Sequence, residues 1–332
     1  MQAVVMTAVG GPEVLQLRDV PVPDIQHPHQ LRVRIKAAGI NPVDIKLRQR
    51  GSYFPDRLPS ILGCDGAGVV DAVGAQVTRF KVGDAVYFCN GGIGGAPGNY
   101  AQYCVLDEHY AARKPASLDF VHAAAVPLVL LTAWEALYQR AHLRVDDEVL
   151  IHAGAGGVGH IAVQLARSSG ARVCTTVGSE AKADFVKALG AEHVILYRHQ
   201  DFVAETAAWS RDGGANIVFD TVGGATFARS FSAARVYGDV VTLLQPDSAV
   251  DWKIARNKNL RVSFELMLTP MFMELHAARL QQTKILEQCA ALFDAGQLQV
   301  SVSEVLPLRD AARAHQLIER GGTQGKIVLE VS

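Results

Sequence analysis

The stretch Glu148-Val149-Leu150-Ile151-His152-Ala153-Gly154-Ala155-Gly156-Gly157-Val158-Gly159 decides how this chain is read. Its first half is an apolar run of strand length, its second half a complete G-x-G-x-x-G. Behind it, Ile161-Ala162-Val163-Gln164-Leu165-Ala166 reads as a helix. Glycine-rich turns are common, so the hexapeptide alone says little; the strand–turn–helix context makes it a dinucleotide-binding fingerprint. Gly154, Gly156 and Gly159 allow a tight turn and close approach to a pyrophosphate, while Gly157 and Val158 open a helix whose free N–H groups face the anion.

Outward from this turn, strands alternate with helices. Strands are expected at 148–153, 171–177, 193–197, 216–220, 239–244 and 260–265, with helices such as 158–169 and 180–189 between them. That spacing means a parallel sheet covered on both faces. Upstream of about residue 120 the pattern differs. Leu31-Arg32-Val33-Arg34-Ile35-Lys36-Ala37 alternates apolar and polar, and short apolar runs at 68–70, 85–88 and 102–105 are separated by glycines. Such strands predict an irregular β-barrel. Residues 121–139 read as a well-buried helix, 276–295 and 309–320 as further helices, and 325–331 as a closing strand that rejoins the first domain. The expected division is 1–124 with 267–332, and 125–266.

Composition agrees with two domains: 332 residues exceed the ~100–200 of a single one, and 49% apolar against 20% charged residues suits a packed globular protein. With 32 basic and 33 acidic residues the net charge is −1, which leaves no broad footprint for nucleic acid or anionic membrane. No apolar run reaches the ~20 residues of a membrane helix, and the N-terminal residues do not read as a secretory signal. The five cysteines, Cys64, Cys89, Cys104, Cys174 and Cys289, include no C-x-x-C and fit a reducing compartment, so a cytoplasmic protein is expected.

The second strand indicates which dinucleotide. An NAD site usually places Asp or Glu at its end, to grip the ribose 2′-OH. Here the strand ends in Val177 and runs into Gly178-Ser179-Glu180-Ala181-Lys182. Ser179 and Lys182 suit a 2′-phosphate, so NADPH is the expected cofactor, with Glu180 turned outward. Tyr197, ending the third strand, either flanks the adenine or is a half-buried aromatic of the strand end.

With these residues in hand, the whole chain resembles the medium-chain dehydrogenase/reductase superfamily, in its zinc-independent quinone and enone reductase branch. The resemblance rests on Ala38-Gly39-Ile40-Asn41-Pro42-Val43-Asp44, on Leu62-Gly63-Cys64-Asp65-Gly66-Ala67-Gly68-Val69-Val70 and on Phe80-Lys81-Val82-Gly83-Asp84-Ala85-Val86. Leu131-Thr132-Ala133-Trp134-Glu135-Ala136-Leu137, the 153–159 turn, Asp220-Thr221-Val222-Gly223-Gly224 and Gly325-Lys326-Ile327-Val328-Leu329 complete it. It implies an α/β protein in which a GroES-like irregular β-barrel catalytic domain is interrupted by a doubly wound Rossmann domain. Zinc-binding relatives have Cys and His where this chain has Asn41 and Cys64, and their four-cysteine lobe is replaced by a glycine-rich loop at 91–103. Tetrahedral zinc needs three or four convergent donors. Adjacent Cys64 and Asp65 point to opposite faces of a strand, so no metal is expected.

Without a Lewis acid, the expected acceptors are quinones and α,β-unsaturated carbonyls, which take hydride at carbon and spread the charge. Such a site needs a hydrogen-bond donor to the developing oxyanion. Three side chains are candidates. The resemblance places Asn41 by the nicotinamide ribose. Lys46 is either an enolate-stabilising ammonium or a solvated helix residue, with Asp44 orienting it or capping the helix. Tyr53 is either a second donor or a wall aromatic. The resemblance also brings Thr132, Thr242, Leu243, Leu244, Phe264, Leu266 and Lys326 to the nicotinamide half, although ordinary core is the default role for the apolar ones. The run Met267, Leu268, Met271, Phe272, Met273 belongs to the substrate pocket, a core or a subunit contact. Two rival functions stay open. An enoyl-thioester reductase would need a basic patch, for which only Arg48, Arg50 and Arg57 offer themselves. The other is a non-enzymatic NADPH-binding, crystallin-like or regulatory protein. Relatives pair edge strands of the Rossmann sheet, which implies a homodimer through 260–265.

Overall fold

A computed structural model describes residues 1–54 and 57–332. The chain folds into two units, Met1–Leu131 with Leu268–Ser332, and Thr132–Met267. The boundaries thus lie at 131/132 and 267/268, where the sequence had placed 124/125 and 266/267. The expected helix 121–139 explains the first shift. It forms three pieces, Phe120–Ala124, Pro127–Trp134 and a π-helical turn Glu135–Arg140. Proline lacks the N–H that would continue a helix, so Pro127 starts a new one, and the division falls inside it.

In the unit 132–267, strands Glu148–Ile151, Arg172–Val177, His193–Leu196, Ala215–Asp220, Ala234–Thr242 and Arg261–Phe264 form one parallel sheet. Its order is third, second, first, fourth, fifth, sixth. Glu148–Ile151 is buried along its whole length, as a strand covered on both faces must be. Leu150, Cys174, Ile195, Val218 and Val240 meet Phe202, Phe227 and Phe231 of the covering helices. The order reverses between the first and fourth strands, and a doubly wound sheet opens its ligand crevice at the carboxyl ends there. This is a Rossmann sheet.

The other unit is built on an irregular barrel. One sheet runs Val302–Pro307, Lys326–Glu330, Gln30–Ile40, Asp65–Val73, Ala85–Cys89, Ala112–Arg113, with Tyr103–Asp107 also on Gln30–Ile40. A second places Gln2–Met6 between Leu15–Asp19 and Ser60–Ile61. Register decides what this unit brings together. Ile327 lies opposite Ile40 and Gly39 opposite Asp65, so positions 326, 41 and 65 share one end of the sheet. Gly39 permits it: a β-carbon there would stand 2.3 Å from the Ala124 carbonyl. This is the GroES-like arrangement. Among the described residues, no helix is long and apolar enough to cross a membrane.

Candidate functional site

The three glycines of the 154–159 turn do different work. A β-carbon on Gly154 would meet Thr175 Oγ1 at 2.0 Å, and one on Gly159 would meet the Ala153 carbonyl at 2.3 Å. Those two glycines let strand, turn and helix close on one another. A β-carbon on Gly156 would have only the Ala153 carbonyl near it, at 3.2 Å. Its outer face is open, as a backbone that must approach a phosphate requires. Gly156 caps the helix Gly157–Ser168, so the amides of Gly157, Val158 and Gly159 have no intrahelical acceptor. The cradle fits a pyrophosphate.

Beside it, Arg172–Val177 ends without an acid. Ser179 caps the next helix by position only, since its hydroxyl makes no capping bond, and it is exposed. Lys182 lies in that helix's first turn, and Tyr197 packs its hydroxyl end against Gly178. The strand ends thus gather Gly178, Ser179, Lys182 and Tyr197. At the end of Ala215–Asp220, the buried Asp220 carboxylate accepts from Val222 N and Gly223 N, each at 2.9 Å, and from Thr242 Oγ1 at 2.8 Å. Thr242 Oγ1 in turn accepts from Leu244 N at 3.2 Å, and Leu244 covers Gly223. Asp220 entered the sequence reading only as part of a motif, yet it fixes two of the predicted positions. Thr132 is buried, whereas Phe264 and Leu266 stand outward on the edge strand and just beyond it. Glu265 between them turns inward to Arg140.

In the barrel unit, Asn41 and Lys326 come together although 285 positions separate them. The buried Lys326 Nζ donates to Asn41 Oδ1 and, at 2.8 Å, to the Ile40 carbonyl, and lies 3.6 Å from Asp65. Asn41 Nδ2 donates to Asp65 at 2.9 Å, and Leu128 N holds the other carboxylate oxygen at 2.8 Å. Burial presses both partners toward neutrality, raising Asp65 and lowering Lys326, while each opposes the shift in the other. Asp44 caps its own helix: it accepts from Asn41 N at 2.8 Å and from Tyr100 OH at 3.0 Å, and Tyr100 reaches His315 at 3.3 Å. Burial lifts the Asp44 carboxyl to about 7. Asp44 therefore does not orient Lys46, which is exposed on the helix surface and whose ammonium partial burial and Arg50 hold below the usual range. Tyr53 stacks on Phe272, with ring centres 4.7 Å apart, and partial burial raises its phenol. Of the apolar run, Met267 and Leu268 are core, Phe272 backs Tyr53 and Met273 is exposed. Of the three arginines considered for a coenzyme A tail, Arg48 is buried and paired with Glu319, while Arg50 and Arg57 are exposed.

Among the described residues, no group of three or more His, Cys, Asp or Glu is disposed to hold a metal ion. The donor chemistry agrees. A hydrogen bond with Cys89 and burial push the Cys64 thiol well up, and the Lys326 ammonium already stands against Asn41 and Asp65. Zinc does not fit these residues.

A family model described as "Alcohol dehydrogenase GroES-like domain" matches residues 27–116, and one described as "Zinc-binding dehydrogenase" matches 189–329. The chain is 34% identical over 326 residues to a quinone oxidoreductase of Pseudomonas aeruginosa, covering 97% of each chain. It is 34% identical to a 2-haloacrylate reductase of a Burkholderia species, covering 99% of this chain and 98% of that one. The crystal structure of Escherichia coli quinone oxidoreductase complexed with NADPH superposes with a TM-score of 0.88 at 32% identity, covering 99% and 100% of the two chains.

Proposed function

Because the chain belongs to the quinone oxidoreductase branch of the medium-chain dehydrogenase/reductase superfamily, we propose that it reduces quinones or α,β-unsaturated carbonyls with NADPH and without a metal. It is an NADPH-dependent oxidoreductase. The observation that carries the reading is the glycine cradle beside a strand end without an acid. Gly156, Gly157 and Val158 hold the pyrophosphate, Ser179 and Lys182 the 2′-phosphate, and Tyr197 the adenine. Thr132, Thr242, Leu243, Leu244, Phe264 and Leu266 serve the nicotinamide half. Bound NADPH supplies hydride from its nicotinamide C4.

The barrel unit supplies orientation and charge. Lys326 and Asp65 clamp the two ends of the Asn41 amide, which fixes the amide's direction before any ligand arrives. A preset dipole costs no reorganisation when charge develops. Tyr53 and Lys46 are candidate donors to an oxyanion, and both have side chains reached by solvent. The unit Thr132–Met267 pairs along its edge strand Arg261–Phe264 with a second copy of the chain, giving a homodimer. The decisive experiment follows NADPH oxidation in parallel with benzoquinone, an alkenal and crotonyl-CoA. Turnover with the first two and not the thioester supports the reading. Turnover with crotonyl-CoA alone replaces it with an enoyl-thioester reductase.

A further inference from the structure

The barrel unit contains a cavity of ≈ 300 Å³, at the small end for a ligand site. Its wall includes the glycine-rich loop at Asn90, Gly91 and Ile93, together with Phe54, Tyr110 and Met271, and its charged groups are Arg279 and Glu274. Most of this wall is apolar or backbone, so Arg279 is conspicuous. The guanidinium is partly buried, and among the described residues it has no carboxylate partner. Burial holds its pKa down.

What holds Arg279 is neutral. One Nη donates to Asn90 Oδ1 at 2.5 Å, and the guanidinium carbon stands over the Tyr110 ring, 3.4 Å from its centre. Asn90 is fixed in turn. Its N–H donates to the Cys64 carbonyl at 2.8 Å, and its own carbonyl accepts from Asn99 Nδ2 at 3.0 Å. Tyr110 OH is 2.7 Å from His276 Nδ1. The fork is therefore held in place, with Asp107 and the rim carboxylate Glu274 acting on it only at a distance and no carboxylate paired with it among the described residues, inside a cavity of small-molecule size. A buried charge without a partner is costly, and a rigid fork matches a carboxylate bidentately.

We propose that this cavity seats the acceptor and that Arg279 binds a carboxylate on it, so that the preferred substrates are unsaturated carbonyl compounds bearing a free acid. This rests on the reductase reading and names its substrate class. A single guanidinium opposed by Glu274 suits a monoanion and not a phosphate, which calls for more positive charge. Glu274 lies at the exposed rim, with its backbone in the left-handed region (φ 55°), and weakens the anion's hold without closing the cavity.

The test compares acetylacrylate, an enone carrying a carboxylate, with its methyl ester, using NADPH as reductant and reading kcat/KM for both. In Arg279→Gln the acid-to-ester ratio falls roughly 10- to 100-fold, the strength of a charge-assisted pair. Arg279→Lys restores part of it, and Glu274→Gln raises the ratio a few-fold. If Arg279 only props Asn90 and Tyr110, acid and ester fall together and the ratio holds, which overturns the proposal. An unchanged ratio in Glu274→Gln also counts against it, and that variant keeps every contact of Arg279 should Arg279→Gln not fold. Calorimetry with levulinate, the saturated product, separates the two readings. Levulinate bound by the wild type and lost in Arg279→Gln, with no NADPH oxidation by any acceptor, sinks the reductase reading while supporting the acid site. Turnover of benzoquinone and ester with no levulinate binding does the reverse.

Discussion

The two units carry their polar residues in opposite ways. In Thr132–Met267 the groups assigned to ligand lie at the ends of neighbouring strands and open outward: Gly156 has free space beside it, and Ser179 and Tyr197 are exposed. In the barrel unit Asn41, Asp44, Asp65, Tyr100, His315 and Lys326 are buried and bonded to one another, with Asp44 Oδ1 and His315 Nδ1 left without a partner among the described residues. One unit keeps its hydrogen-bonding capacity for a ligand; the other spends nearly all of it internally and gains a fixed geometry. Buried polar groups are strongly penalised when a partner is lost, whereas exposed ones are not. Substitutions should therefore damage folding in the barrel unit and binding in the sheet unit.

The largest effect is expected in the barrel. Lys326→Met leaves Asp65 buried without its cation and Asn41 Oδ1 without a donor, and should cost about 3–5 kcal/mol of stability. Chemical denaturation measures it, and a loss below about 1 kcal/mol would show that the network is slack. Gly156→Ala is the converse. The added methyl meets little of the protein but intrudes on the pyrophosphate, so NADPH affinity should fall roughly 100-fold while the melting temperature stays within a few degrees of wild type. Fluorescence titration with NADPH checks the first and a thermal melt the second. A collapse of stability would erase the contrast between the units.

How much of this was legible in sequence follows the same division. The fingerprint is local: strand, three glycines and helix lie within one short segment, so the pattern and the structure are nearly the same object. The six-strand alternation was readable for the same reason. The barrel cluster is not local, because sheet register alone brings 326 to 41 and 65. Lys326 was thus assigned to the cofactor from family position, while its partners went unseen. Tyr100, His315 and Arg279 carried no signal at all, since their meaning lies in what surrounds them. Arg48 was misread because a basic residue in a helix looks solvated until Glu319, far along the chain, is found beside it.

The buried network also responds to pH. The Asp44 carboxyl has its pKa at about 7 in the folded chain, against 3.8 without that environment, chiefly because burial disfavours the charged form. Between those values the folded state holds a proton the unfolded state lacks, so Asp44 makes stability fall as pH rises from about 4 to about 7. Asp44→Asn cannot ionise and keeps an oxygen to accept from Asn41 N and Tyr100 OH. Relative to wild type it should gain roughly 4 kcal/mol by pH 8, with the difference vanishing toward pH 4. Urea midpoints across that range measure it. Parallel curves would mean that Asp44 is charged and well solvated throughout.

The smallest effect belongs to the exposed side. Ser179→Ala with Lys182→Ala should lower the preference for NADPH over NADH about 10-fold, read as the ratio of kcat/KM values. The change should act on the phosphorylated cofactor alone, because NADH has nothing for either group to hold. Ser179→Ala alone should move stability by less than about 0.5 kcal/mol, since the Ser179 hydroxyl makes no capping bond. Raising salt should shrink the wild-type preference toward that of the variant, as screening does for exposed charges and not for buried ones. Should NADH binding fall in step, the two residues would be supporting the strand end itself, and the sheet unit would resemble the barrel more than its exposure suggests.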